Sequence, residues 1–413
     1  MTCTDVIDGT SIAGSARPWK DVALTFLKLG ATSYGGPAIM GIMQAELQQR
    51  RQWVSKERFV EGLSVVNMLP GATAVQLGIF LGYARAGWWG GLVGGLCFIV
   101  PAFFVMLLLA IAYASLGVSP IVRGALYGLG PVVLAVFAMA VYRLGRSAAS
   151  TVPQVLIAVL AALASIATPL GIAGILILSG AAGVLLYHGR KLVTVIAVAA
   201  AVVIALVPVV WWSMSSSSVP AAAARVPRPE SLMDIARYFF KVGAFTVGGG
   251  LTMIAFIQDQ IVGESGWLTA REFIDGLALG QFTPGPLLMV AAYVGYKIAG
   301  LAGAGVAAGA AFLPSFAMML AILPVLDRFR KLAWMRAVMR GMGPAVIGIL
   351  AVSLVRLAPY AVPDRVSIGI LAVALVLMSL TQMSAFRLVI GGAIVGVVRT
   401  RVSAVPRLSG VGG

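Results

Sequence analysis

Apolar residues fill this chain in long runs, at 90–114, 120–142, 153–186, 192–212, 298–326 and 366–380. A hydrocarbon core of ~30 Å takes about 20 helical residues to cross, and most of these runs supply that length or twice it. The period-2 alternation a membrane strand requires is missing. The pattern therefore predicts an all-α polytopic membrane protein. Two stretches depart from it in the same way. "FLKLGATSYGGP" (26–37) and "FFKVGAFTVGGG" (239–250) each put a lysine two residues ahead of a glycine in apolar surroundings, then break the run with small residues.

These stretches open a match that continues at an offset of 213 or 214. "FVEGLSVVNMLPGA" (59–72) meets "FIDGLALGQFTPGP" (273–286), Pro101 meets Pro314, "RGALYGLGPVV" (123–133) meets "RAVMRGMGPAV" (336–346), and Arg143 meets Arg356. Residues 21–190 and 233–400 thus read as two copies of one unit, after a cytoplasmic tail at 1–20 and before a second tail at 401–413. Residues 191–232 join the copies through one more apolar segment and a Ser/Ala/Pro-rich linker. Each copy holds about six membrane segments, an even number, so the extra helix turns the second copy over. The expectation is an inverted-topology repeat with about 13 segments and broken helices. With the N-terminus inside, the loop carrying Arg50, Arg51, Lys56 and Arg58 falls outside, against the positive-inside rule. If the first two segments are hairpins or half-helices, that loop returns to the cytoplasm; the breaks "YGGP" and "MLPGAT" point that way.

Composition narrows the function. The 413 residues are 60% hydrophobic and only 11% charged, beyond what a soluble domain can bury. The net charge of +16 falls mainly at helix ends, as in Arg143/Arg146 and Arg190/Lys191, where it serves topology and lipid headgroups; it forms no nucleic-acid surface. Two isolated cysteines, Cys3 and Cys97, and a single histidine, His188, suggest no metal site, disulfide framework or redox centre, so no cofactor and no enzyme are expected. The first 20 residues lack the apolar core of a signal peptide. The oligomeric state stays open, with a homodimer among the choices.

Inverted repeats with interrupted helices are the usual build of secondary transporters, with substrate bound where the breaks free backbone N–H groups. Broken backbone at membrane depth needs protein or water around it, and a helix starting after a break offers its positive end to an anion. The candidate substrate-binding residues follow: Lys28, Gly35, Gly36, Asn67, Pro70 and Gly71 in the first copy, and Lys241, Gly248, Gly249, Gln281, Pro284 and Gly285 in the second. Thr73, Thr283 and Gln76 border the same breaks. Of only 14 carboxylates, four fall in equivalent pairs, Glu46 with Asp259 and Glu61 with Asp275. These are the proton-coupling candidates, with interfacial ion pairing to nearby arginines as the alternative, favoured for Glu46 and Asp259.

The chain resembles the chromate ion transporter family in its long two-domain form. Lys28–Gly30 followed by Gly35–Pro37 matches the family's Lys-Leu-Gly and Gly-Gly-Pro pattern, and Pro284–Pro286 its Pro-Gly-Pro. The first copy reads Pro-Gly-Ala at 70–72, so its second proline is lost, and the glycine run of the second copy ends in Gly250 instead of proline. The resemblance implies chromate efflux across the inner membrane, driven by the membrane potential or proton gradient, with sulfate as the related oxyanion. A transporter of another oxyanion and a passive anion channel remain the competing readings.

Overall fold

A computed structural model describes residues 18–34, 38–116, 119–168, 170–188, 231–247, 250–264, 266–326, 332–381, 383 and 385–404. Among them regular structure is helical throughout. In the first copy α1 is Pro18–Thr32, α2 is Ala38–Met43 continued by wide π-type turns over Gln44–Arg50, and α3 is Lys56–Val66. They are followed by α4 (Thr73–Leu116), α5 (Pro120–Ala148), α6 (Val152–Ala167) and α7 (Gly171–His188). The second copy runs the same course: α8 (Leu232–Ala244), α9 (Thr252–Phe256) with π-type turns over Ile257–Glu264, α10 (Ala270–Phe282), α11 (Val290–Ile322), α12 (Ala333–Ala361), α13 (Arg365–Leu380) and α14 (Ala385–Ala404).

Among the described residues, four helical stretches are long and apolar enough to cross a membrane: Thr73–Leu116, Pro120–Ala148, Leu287–Val325 and Trp334–Ala361. Two of them are not straight rods. Gly87 (φ 63°) breaks α4 after Ala86, and Gly300 (φ 62°) breaks α11 after Ala299. Left-handed backbone suits glycine because it has no Cβ to clash. The chain then doubles back: a Cβ on Gly82 would lie 2.2 Å from the Gly90 carbonyl oxygen, and one on Gly295 2.2 Å from that of Gly303. We therefore divide α4 into α4a (73–85) and α4b (88–116), and α11 into α11a (290–298) and α11b (301–322).

Shorter helices pair in the same manner. Phe26 of α1 meets Trp53 beyond α2 edge-on at 6.2 Å, and Arg51 reaches back to Asp21 at 3.0 Å. Gly62 of α3 leaves room for the Phe80 ring of α4a, as Gly276 of α10 does for Tyr293 of α11a. Each copy thus opens with two helical hairpins, one turning beyond Ser33 (Thr246 in the second copy) and one turning at 67–72 (283–286).

The copies interlock through small residues, which let helix backbones approach closely without a hydrophobic driving force. α4b and α11b cross antiparallel, with Gly91 beside Leu320 and Gly95 beside Phe316. α14 packs on α5 where Gly128 faces the Gly392 carbonyl; α6 and α7 pack on α12, where Gly348 and Gly183 face the Ala158 and Ala337 carbonyls. The end pair of each copy is thus seated on a long helix of the other. Large apolar side chains such as Val152, Val355 and Leu380 point outward, the surface that hydrocarbon solvates.

One polar clasp closes the α5 seam. Tyr127 donates its hydroxyl to Asp364, Arg399 Nη2 lies 2.7 Å from Asp364 Oδ2, and the Arg399 guanidinium stacks 4.2 Å from the Tyr127 ring. Asp364 also caps α13 by accepting the Ser367 N–H at 2.9 Å. The Tyr127 hydrogen bond first, then the Ser367 amide and Arg399, hold this loop carboxyl well below the usual carboxylate range. A depressed folded value stabilises above the unfolded value of ~4, and that stabilisation fades as the pH falls through the folded one. Asp364→Asn is therefore expected to lower the melting temperature in detergent at pH 7, with the gap to wild type closing as the pH drops below ~4. A gap that does not change with pH would contradict the clasp.

Candidate functional site at the crossed hairpin tips

The second hairpin of each copy reaches the first hairpin of the other. Gly71 N–H donates to the Thr246 carbonyl at 2.6 Å, and Gly285 N–H donates to the Ser33 carbonyl at 2.8 Å. Ser33 and Thr246 are themselves equivalent positions, so the two bonds form one reciprocal exchange. Both glycines need their freedom, since φ is +123° at Gly71 and +92° at Gly285. Behind them stand the crossing helices: Ser315 of α11b touches the Gly71 turn and Ala102 of α4b touches the Gly285 turn, again equivalent positions.

The lost proline of the first copy has a structural counterpart. Pro286 has no N–H, and its neighbour across the site is alanine. At the equivalent position Ala72 has an N–H, and Ser315 Oγ accepts it at 2.8 Å. A buried amide without a partner would cost about 1–3 kcal/mol, so the Pro-to-Ala change and the Ala-to-Ser change belong together.

Gln76, fully buried, donates Nε2 to the Pro70 carbonyl at 2.8 Å and so braces the turn from inside α4a. Its Oε1 and the Ser33 hydroxyl are buried without a hydrogen bond among the described residues. Thr283, also buried, donates back to Leu279 O at 3.1 Å. Since α4a starts at Thr73 and the turn at Leu287–Met289 leads into α11a, two helix N-termini begin directly behind the glycine turns. Free N–H groups and the positive ends of helix dipoles are the chemistry that holds an anion.

Not every sequence candidate converges here. Pro70, Gly71, Pro284 and Gly285 form the tips. Asn67 is exposed at the end of α3 and Gln281 is half-buried. Gly35, Gly36, Gly248 and Gly249 lie outside the described residues. Lys28 is exposed near the end of α1, just before the tip, whereas Lys241 is half-buried.

The four carboxylates also differ. Glu46 pairs with Arg51 at 2.8 Å and Arg50 at 3.2 Å, and Asp259 with Arg356 at 3.4 Å, toward helix ends. Glu61 pairs with Arg58 at 3.0 Å and keeps a third of its side chain exposed. Asp275 is buried, accepts the Tyr113 hydroxyl at 3.0 Å, and lies 3.4 Å from Arg271 Nε. Sequence reasoning missed Ser33, Thr246, Ser315 and Tyr113. The first two could have been found as matched small hydroxyls at the repeat offset; Ser315 and Tyr113 have no polar match and carried no such signal.

Comparison with known proteins places the chain. A family model described as chromate transporter matches residues 20–225 and 233–397. The chain is 30% identical over 405 residues to the chromate transport protein of Cupriavidus metallidurans, covering 94% of this chain and 96% of that one. It is 32% identical over 344 residues to that of Pseudomonas aeruginosa, covering 81% of this chain and 79% of that one. A probable chromate transport protein of Synechococcus elongatus is 30% identical over 360 residues, covering 86% and 89%. No solved structure matches.

Proposed function

We propose, because this chain belongs to the chromate transporter family, that it is a secondary carrier that exports chromate from the cytoplasm and confers chromate resistance. It is a multi-pass membrane protein, and the proposed location is the inner membrane. The driving force in this reading is the membrane potential or the proton gradient.

The observation that carries the reading beyond family membership is the reciprocal exchange at the tips, Gly71 to Thr246 and Gly285 to Ser33. It joins four broken segments, two from each copy, through two reciprocal hydrogen bonds, which supports a substrate site between inverted repeats. Both helix N-termini behind it favour a compact dianion. Sulfate has the same shape and charge, so it is the expected competitor.

An inverted repeat is the architecture we assign to the two copies, at 21–190 and 233–400. Antiparallel crossing of α4b over α11b supports it, because each follows a hairpin pair from its own copy. The hairpins return to the side they entered from, which leaves fewer full crossings than about 13. An even set remains in each copy; the connecting segment at 191–232, expected to turn the second copy over, lies outside the described residues apart from Ser231 and Leu232. The Arg51–Asp21 pair keeps the basic loop after α2 beside the start of α1, which agrees with the positive-inside rule for a cytoplasmic N-terminus.

Chromate accumulation in energised everted vesicles tests the function. Uptake that collapses with a protonophore and falls with excess sulfate is expected. No uptake in vesicles shown to hold folded protein would refute the chromate reading. Within it, Lys28→Ala and Lys241→Ala are each expected to weaken flux about tenfold, the scale of one lost charge-assisted contact, without unfolding the protein. Wild-type kinetics in both purified variants would remove the lysines from the site.

A further inference from the structure

We propose that Asp275, bonded to Tyr113 across the two copies, is the site at which a proton enters the transport cycle. The inference rests on the carrier reading above and deepens it by assigning the coupling ion and its position. It starts from an asymmetry. Asp275 is 4% exposed, whereas the side chain of its counterpart Glu61 is 33% exposed and paired with Arg58. Asp275 is faced by Tyr113 of the first copy and Tyr293 of its own, whereas the equivalent positions around Glu61, Leu326 and Phe80, are apolar. One copy has built a polar, enclosed carboxylate site and the other has not.

The groups around Asp275 come from every element packed there. On α10 itself, Arg271 Nε lies 3.4 Å from Oδ1, and Glu272 precedes it on the same helix. From α4b, Tyr113 donates to Oδ2 at 3.0 Å. From α11a, Lys297 Nζ holds Glu272 at 2.8 Å and lies 5.6 Å from the Tyr113 ring; Tyr293 donates to the Glu272 carbonyl and meets Tyr113 edge-on at 5.7 Å. α12 contributes the Tyr360 carbonyl, which accepts Arg271 Nη1 at 3.3 Å, and α5 contributes Gly130 beside the same guanidinium.

Two cations and two carboxylates balance here while Asp275 is ionised. Protonating it leaves a net positive charge among buried aromatic rings and removes the attraction that ties Arg271 to its own helix. Ionisable groups held inside a membrane protein in this way are functional-site candidates, and proton relays are built from them. α10 carries the effect to the site directly, since it ends at Phe282 and the next turn presents Gly285 to Ser33. Protonation midway along α10 thus biases the tip that follows its C-terminal end.

The test uses the full chain in liposomes with the voltage clamped. Chromate counterflow at equal pH is measured beside accumulation driven by a pH gradient, where each coupled proton sustains about a tenfold ratio per pH unit. Asp275→Asn is expected to keep counterflow and to lose gradient-driven accumulation; Tyr113→Phe is expected to displace the pH midpoint of accumulation. An Asp275→Asn variant that still accumulates chromate overturns the inference. So does one that loses counterflow while melting like wild type, because the carboxylate would then serve binding. If the Asn variant does not fold, Asp275→Glu carries the test: a displaced midpoint supports the inference and an unchanged profile overturns it. Absence of counterflow in wild type would instead refute the carrier reading itself.

Discussion

Gly71→Ala is expected to abolish chromate flux and to lower stability by about 2–5 kcal/mol. Two independent costs combine. The backbone at this position has φ +123°, a conformation that L side chains rarely adopt. A Cβ would also lie 2.5 Å from Ser315 Oγ and 2.6 Å from Gln76 Nε2, and both of those atoms are already committed to bonds that shape the turn. Relieving the clash means moving the Gly71 amide off the Thr246 carbonyl, which opens one of the two reciprocal bonds at the tips. Gly285→Ala should cost less, because the nearest atom to its added Cβ is the Ala102 methyl at 3.0 Å. Thermal unfolding in detergent, with flux in liposomes, checks both. Wild-type melting and flux in Gly71→Ala would mean that the tips do not form the site.

Ser315→Ala is the second large effect, expected to cost about 1–3 kcal/mol because it strands the buried Ala72 N–H. The informative step is the rescue. Ala72→Pro removes the stranded donor and rebuilds in the first copy the Pro-Gly-Pro and alanine pairing that the second copy uses at Pro284–Pro286 and Ala102. The double variant should therefore recover most of the lost stability, which gives a coupling energy of about 1–3 kcal/mol in a double-mutant cycle. Additive losses would show that the two differences between the copies are unrelated. Transport should follow stability, since the serine acts on the turn and not on the carried ion.

Much of this was legible in the chain. The apolar runs announced helices, the offset of 213 announced two copies, and Pro70–Gly71 and Pro284–Gly285 announced breaks. The expectation of about six segments in each copy allowed hairpins at the first two but did not place the reversals at Gly87 and Gly300, because hydropathy records how apolar a stretch is and not which way it runs. The apolar run at 90–114 gives no sign that it folds back on residues 73–85, and only the positive φ at Gly87 makes the two into antiparallel arms. The lysines illustrate the same limit: identical spacing at Lys28 and Lys241 ends in an exposed side chain in one case and a half-buried one in the other.

The sequence by itself determined which segments are helical, where they break, and that the unit is repeated. These are local properties, written in apolar length, in proline's missing N–H and in glycine's tolerance of positive φ. Tertiary structure alone decided that Gly71 meets Thr246 and not its own copy, that Ser315 completes Ala72 from 243 residues away, and that Asp275 is enclosed by Tyr113 while Glu61 stays partly exposed. Those pairings depend on how two copies cross, and a repeat in one dimension does not specify the crossing. Unequal contacts between equal copies are what separate the second-half site from the first.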